Sequence, residues 1–444
     1  MDKQFKVTKG GVTAPKGFFA SGVFCDIKRL GTGKGSNKGK KRDLALIRSE
    51  ETAVAAGMFT TNQICAAPVK VCIEHLKKRS GTAYAIVVNS GNANACTGEQ
   101  GLRDAKRMAQ IVARESGFPA HQVLVASTGR IGVPLPMRNV ETGILDGLAQ
   151  LGQTLNHGDQ VAEALMTSDT RPKQIAVELL LGGKSVRIGG VCKGAGMIQP
   201  GMSANGARPA AMPLHATMLC FLTTDAAVER ATLQRCLGEA VANSFNRITV
   251  DGDMSTNDTV IILANGDGKN PKLTSRRRDD LARFQTALNF VTLELAKMIV
   301  RDGEGVSRFV TVRVNGARNF AEADAAARAV GNSALVKTSW CGGDPNWGRI
   351  IDALGYSKAK IVEENIDIAY SLPGSKKLLH SLKRGQPTAT AFEDLCKITA
   401  EKEFDLHIDL NLGKGSAVLY SSDLTEAYVD FNKGDVSDPA SLGG

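Results

Sequence analysis

Short β-branched runs and helix-like stripes alternate along the chain. AYAIVV (83–88) leads into NSGNANACTG, QVLVA (122–126) into STGRIG, and TVIILA (259–264) into NGDG. Each reads as a strand that ends in a loop of turn-forming residues. Between them lie segments with helical periodicity. In EQGLRDAKRMAQIVARESG (99–117) the residues Leu102, Ala105, Met108, Ala109 and Val112 fall on one stripe, and Gly117 suits the C-terminal cap. DDLARFQTALNFVTLELAKMIVRDG (279–303) repeats the pattern with Leu281, Phe284, Leu288, Val291, Leu295 and Met298. A third stripe, Leu233, Leu237 and Val241, follows TTDAAVERAT. Interleaved strands and helices predict a layered α/β or α+β architecture. No internal repeat is visible.

Two stretches break the pattern. QPGMSANGARPAAMP (199–213) sets prolines among small residues with little to bury, as a domain linker or an exposed loop would. It stops shortly before Thr217, which opens TMLCFLTT, a candidate buried strand. KRLGTGKGSNKGKKRD (28–43) is a basic run that reads first as a solvated loop, with attraction for anions as the lesser alternative. It lacks the glycine spacing of a phosphate-binding P-loop.

Composition narrows the class. The chain has 444 residues, enough for two domains or one large layered one. Its net charge of +10 would suit a nucleic-acid binder, but aromatic residues are only 5%, too few for base-stacking platforms. Nine cysteines are scattered with no C-x-x-C pair, which points to free thiols in a reducing compartment. The six histidines never fall at metal-ligand spacing, and no metal is expected. The opening MDKQFKVTKGG has no apolar stretch like a signal sequence, and no run of eighteen apolar residues occurs. A cytoplasmic enzyme, without membrane or nucleic-acid partners, is the expectation.

The chemistry centres on Thr217. An internal threonine hydroxyl is a poor nucleophile. If the Ala216–Thr217 bond is cut, the new α-amine stands beside the hydroxyl as a base with a pKa near 8. The plainer alternative is an ordinary strand residue after a loop. Thr128 and Gly129, in the turn of VASTGRIG, can offer a hydroxyl and a backbone N–H to an oxyanion, or simply turn the chain. Lys193, flanked by glycine in CKGAGM, is either a surface lysine or a charged helper near the nucleophile.

CKGAGMIQP followed by HATMLCFLTTDA resembles the signature of the ornithine acetyltransferase (glutamate N-acetyltransferase) family of arginine biosynthesis. The likeness continues through GVTAPKGF, KRDLALI, VNSGNANACTG, STGRIGVPLP, MTSDTRPK, SFNRITVDGDMSTNDT, RDGEG, DPNWGRI and YVDFN. It implies an N-terminal-nucleophile-like α/β fold of the DmpA/ornithine-acetyltransferase type. It also implies self-cleavage between Ala216 and Thr217 into an alpha subunit (1–216) and a beta subunit (217–444). By the same resemblance Thr217 is the nucleophile and Thr128 and Gly129 form the oxyanion hole. Thr167, Lys193, Thr217, Glu304, Asn432 and Ser437 bind substrate. The substrates implied are N-acetylornithine and glutamate, and the assembly two alpha with two beta subunits. No cofactor is implied, and the residues leave open whether acetyl-CoA is a second acetyl donor. The residue types agree: Glu304 suits an ornithine ammonium, Asn432 and Ser437 a carboxylate.

The chain departs from the family's pattern in three places. Lys193 and Thr217 are 24 positions apart (217 minus 193), a longer spacing than the pattern has. His215 stands where an apolar residue is more usual, and a tail runs past Ser437. A self-processing aminopeptidase or amide hydrolase with the same N-terminal threonine chemistry is the competing reading.

Overall fold

The computed structural model describes residues 4–28, 41–78, 81–207 and 218–433. Among them, ten strands form one sheet and six a second. The first sheet contains β1 (Phe5–Thr8), β2 (Phe18–Val23), β3 (Leu44–Thr60), β4 (Thr82–Asn92), β5 (Val123–Arg130), β6 (Lys173–Leu181), β7 (Lys184–Lys193), β8 (Met202–Ser203), β9 (Leu219–Thr224) and β10 (Thr259–Ala264). Its path runs β1-β6-β7-β9-β10-β3-β4-β5, with β2 and β8 also paired to β3. The second contains β11 (Phe309–Ala317), β12 (Asp367–Ser371), β13 (Leu379–Lys383), β14 (Gln386–Pro387), β15 (Glu403–Asp409) and β16 (Gly415–Ser422), in the order β14-β13-β12-β15-β11-β16.

β9 and β10 are buried at every position because helices cover both faces of the sheet. Along β9, Leu219 and Phe221 join the core under the helices Gly98–Ser116, Met137–Ala149 and Leu155–Leu165. Cys220 and Leu222 turn to the opposite core, under Arg230–Ala242 and Arg278–Arg301. β10 divides the same way, Ile261 and Leu263 against Val260 and Ile262. This period of two across a doubly covered sheet is what makes TMLCFLTT and TVIILA look uniformly apolar.

The layered α/β class expected of the chain is the one observed. All three striped helices form, at Gly98–Ser116, Arg230–Ala242 and Arg278–Arg301. Gly117 caps the first in the left-handed region, φ 73°. The second sheet packs with Phe320–Asn332 and Trp347–Gly355 around its own core, which includes Trp340, Tyr370 and Phe404. A buried cluster ties the two parts together: Arg247 and Arg328 both bond Asp324, and Arg328 donates to the Asn246 carbonyl at 2.6 Å.

The linker-like stretch does not separate folding units. β8, inside it, pairs with β3, and β9, just beyond it, sits between β7 and β10 in the same sheet. Its residues 208–213 lie outside the described residues. Residues 29–40 of the basic run lie outside the described residues. Its ends are not solvated: Lys28 is buried, and the Asp43 carboxylate accepts the backbone N–H groups of Cys25, Ile27 and Lys28. Nine cysteines are free, and Cys192 and Cys220 are buried.

Candidate active site

Parallel pairing of β4 and β5 is disturbed at Gly91 and Asn92, so that Thr128 faces both Ser90 and Asn92. Gly129 takes φ +130°, and a Cβ there would lie 2.3 Å from the Gly91 carbonyl carbon. Only glycine fits so close an approach of backbones. Asn257 pins this corner, donating from Nδ2 to the carbonyls of Ala93 (2.7 Å) and Ser127 (2.8 Å).

β7 ends at Lys193, whose side chain is 3% exposed. Its Nζ donates to Thr128 Oγ1 at 3.3 Å. Lys193 also lies opposite Leu219, the first residue of β9, so the site forms where β5 and β7 end and β9 begins. Beyond Lys193 the chain turns through Gly194, φ +147°, and Gly196, where a Cβ would lie 2.4 Å from Glu304 Oε1. Glu304 N–H donates to the Ala195 carbonyl (3.0 Å), and Asn432 Nδ2 donates to Glu304 Oε2 (2.9 Å). Thr167 sits at the same junction through its N–H, which donates to Asp169 Oδ2 at 3.0 Å.

The structure therefore brings together Thr128, Gly129, Thr167, Lys193, Glu304 and Asn432. Asn432 is exposed on the short helix Glu426–Asn432, which packs its backbone against Gly305. Ala216, Thr217 and Ser437 lie outside the described residues, as does His215.

Two buried carboxylates belong to this junction although no motif singled them out. Asp169 accepts from Lys173 Nζ (2.6 Å) and Gly194 N–H (2.8 Å) and faces Lys193 Nζ at 3.9 Å. Burial alone would raise its carboxyl, but Lys193, Lys173 and the Gly194 N–H outweigh that and hold it well below the usual range. Asp258, fully buried before β10, accepts the Met218 N–H at 2.6 Å, the first described residue after the proposed cut. Its Oδ2 has no hydrogen-bond partner among the described residues. Burial pushes this carboxyl well up, with the Met218 N–H and Lys193 opposing. Both aspartates lie inside quoted motifs, MTSDTRPK and SFNRITVDGDMSTNDT, but an Asp in a polar run carries no sign of being buried.

A separate cleft of about 330 Å³, lined in part by Ile64, Cys65, Lys70 and Cys96, contains none of the candidate residues. Among the described residues no group of His, Cys, Asp and Glu is arranged to hold a metal ion, and no helix is long and apolar enough to cross a membrane.

A layered α/β protein that sets a buried ammonium against a threonine hydroxyl, beside a glycine with freed backbone geometry, has the parts acyl-transfer enzymes use to hold an oxyanion. The ArgJ family model matches residues 27–434, and the chain belongs to that family. It is 45% identical over 423 residues to the arginine biosynthesis bifunctional protein ArgJ of Symbiobacterium thermophilum, spanning 95% of this chain and 98% of that protein. It is 43% identical over 432 residues to the glutamate N-acetyltransferase of Methanocaldococcus jannaschii, spanning 96% and 98%. Among solved structures, the ornithine acetyltransferase of Mycobacterium tuberculosis complexed with ornithine is similar at 37% identity. That match covers 45% of this chain and 100% of that one, with a TM-score of 0.40.

Proposed function

We propose that the protein is a glutamate N-acetyltransferase that moves the acetyl group of N-acetylornithine to glutamate in arginine biosynthesis. The carrying observation is 43% identity, over nearly the whole of both chains, to a relative named for glutamate N-acetylation. The contact of Lys193 with Thr128 is consistent with it, since it gives the junction an electrostatic centre for a developing oxyanion. The hydrolase alternative lacks such support.

In this reading the Thr217 hydroxyl attacks the Ala216 carbonyl carbon. The carbon–nitrogen bond breaks, the nitrogen takes the proton, and water hydrolyses the resulting ester. The freed hydroxyl then attacks the acetyl carbonyl of N-acetylornithine while the α-amine accepts its proton. That proton passes to the departing ornithine amine, and the acetyl group remains on Thr217 as an ester. The glutamate amine attacks this ester and restores the hydroxyl, in ping-pong order. Thr128 and Gly129 hold the oxyanion in each addition. Glu304 receives the ornithine ammonium, and Thr167, Lys193, Asn432 and Ser437 complete the substrate contacts. Alpha and beta subunits pair as a heterotetramer in the cytoplasm, and acetyl-CoA is a candidate second donor.

Intact mass of the purified protein gives the test. Fragments of 216 and 228 residues (444 minus 216) are expected, with acetyl transfer in the same sample. The T217A protein stays one chain and is inactive. T128A loses roughly a hundredfold in kcat, about 3 kcal/mol of oxyanion stabilisation. A fully active, uncut wild-type chain removes Thr217 from its role.

A further inference from the structure

Lys193 is surrounded by charge from four segments: Asp169 before β6, Lys173 on β6, Asp258 before β10 and Glu304 after the helix Arg278–Arg301. Only one of the three carboxylates is also bonded to the backbone that aims Lys193. Asp169 takes the Gly194 N–H on Oδ1 and the Thr167 N–H on Oδ2, and it faces Lys193 Nζ at 3.9 Å. Its side chain has no exposed surface. Its own position is fixed by Lys173, which also bonds Asp302.

An ammonium can only donate, so Thr128 Oγ1 is the acceptor of the bond from Lys193. The single O–H of Thr128 then points away from Lys193 and is polarised by the charge behind it. We infer that Asp169 is a positioning residue of the oxyanion site, acting through the Lys193 ammonium to aim and strengthen the Thr128 hydroxyl as a donor. The inference rests on the acetyl-transfer reading above. It extends that reading by making Lys193 an electrostatic support of the oxyanion as well as a substrate contact.

Burial disfavours the Lys193 ammonium, and Asp169 is the largest influence opposing it. Removing that carboxylate lets the ammonium lose its proton at lower pH. The pH–rate profile of acetyl transfer should therefore move in its alkaline limb.

The experiment compares wild type, D169N, D302N, K193Q and D169N/K193Q in acetyl transfer from N-acetylornithine to glutamate across pH. D169N is expected to lose roughly thirtyfold in kcat with little change in KM, because the lost interaction matters in the transition state. Its alkaline limb moves to lower pH, whereas D302N, whose carboxylate bonds Lys173 and does not contact Lys193, moves the limb less than D169N does. D169N/K193Q is no slower than K193Q alone, since Asp169 acts through that lysine. Should D169N not fold, D169E decides: it retains the alkaline limb while kcat falls. A wild-type rate and limb in D169N, a limb shift in D302N as large as that in D169N, additive losses in the double variant, or a moved limb in D169E overturns the inference and leaves the functional reading intact. Absence of transfer by the wild type overturns both.

Discussion

At the residue scale, Asp258 is a buried carboxyl of the site that burial penalises in its charged form. It is fully buried, one oxygen holds the Met218 N–H, and the other has no partner among the described residues. A carboxyl raised by burial gives its full stability below the unfolded value near 3.9 and loses it as pH climbs through the folded value. Asparagine keeps an acceptor for Met218 and never ionises. D258N, made in the uncut T217A chain so that no new amine intervenes, should therefore melt above its parent at pH 8 and level with it at pH 4. Thermal unfolding at the two pH values checks this, and a D258N chain less stable than its parent at pH 8 would refute it. A stabilising change at such a position is expected of a site that holds strain for function. Little of this was legible beforehand. STGRIG displayed Thr128 and Gly129 as a turn, but their partner Lys193 is 65 positions away (193 minus 128), brought near only by the β7–β9–β10–β3–β4–β5 path. Asp169 and Asp258 were invisible for the same reason: burial of a short acid is a property of the packed sheet.

At the element scale, β9 carries the site's geometry because it is locked on both edges and both faces. It pairs antiparallel with β7 and parallel with β10, and Phe221 is fully buried in the core beneath the Gly98–Ser116 side. F221A should cost about 3–5 kcal/mol, the usual toll for emptying an aromatic site in a close-packed interior. Leu180, on β6 but 59% exposed, is the matched control: L180A should stay within about 0.5 kcal/mol of wild type. Urea unfolding of both variants makes the comparison, and equal losses would mean the burial assigned to β9 is wrong. Strands of this doubly covered kind were readable from uniform apolar runs. β3 was not read as a strand, since its centre, RSEET, is polar. There the register with β4 slips between Arg48 and Ala53, and the strand passes from one set of neighbours to another. The pattern of a seventeen-residue strand that changes partners does not repeat with a single period.

At the scale of the whole molecule, the proposed cut falls inside a sheet and not between bodies. Strands β1 to β8 precede it and β9 and β10 follow it, yet β9 is hydrogen-bonded to β7, and β10 to β3 along Thr259–Ala264. Apolar side chains from both sides of the cut share each of the two cores under this sheet: Val191 with Leu219 and Phe221 in one, Ile188 and Cys192 with Cys220 and Leu222 in the other. Breaking one peptide bond leaves those ladders and contacts in place, so the fragments of 216 and 228 residues should behave as one folded unit. Under native conditions they should co-elute at 47.0 kDa or a multiple of it, and unfold in a single transition. They should separate only in denaturant. Elution of the cut protein as two free fragments would contradict a shared sheet, whatever the catalytic role of Thr217. The strands on either side of the proposed cut keep their own neighbours, β8 on β3 and β9 on β7, so the junction of β5, β7 and β9 does not depend on that one peptide bond.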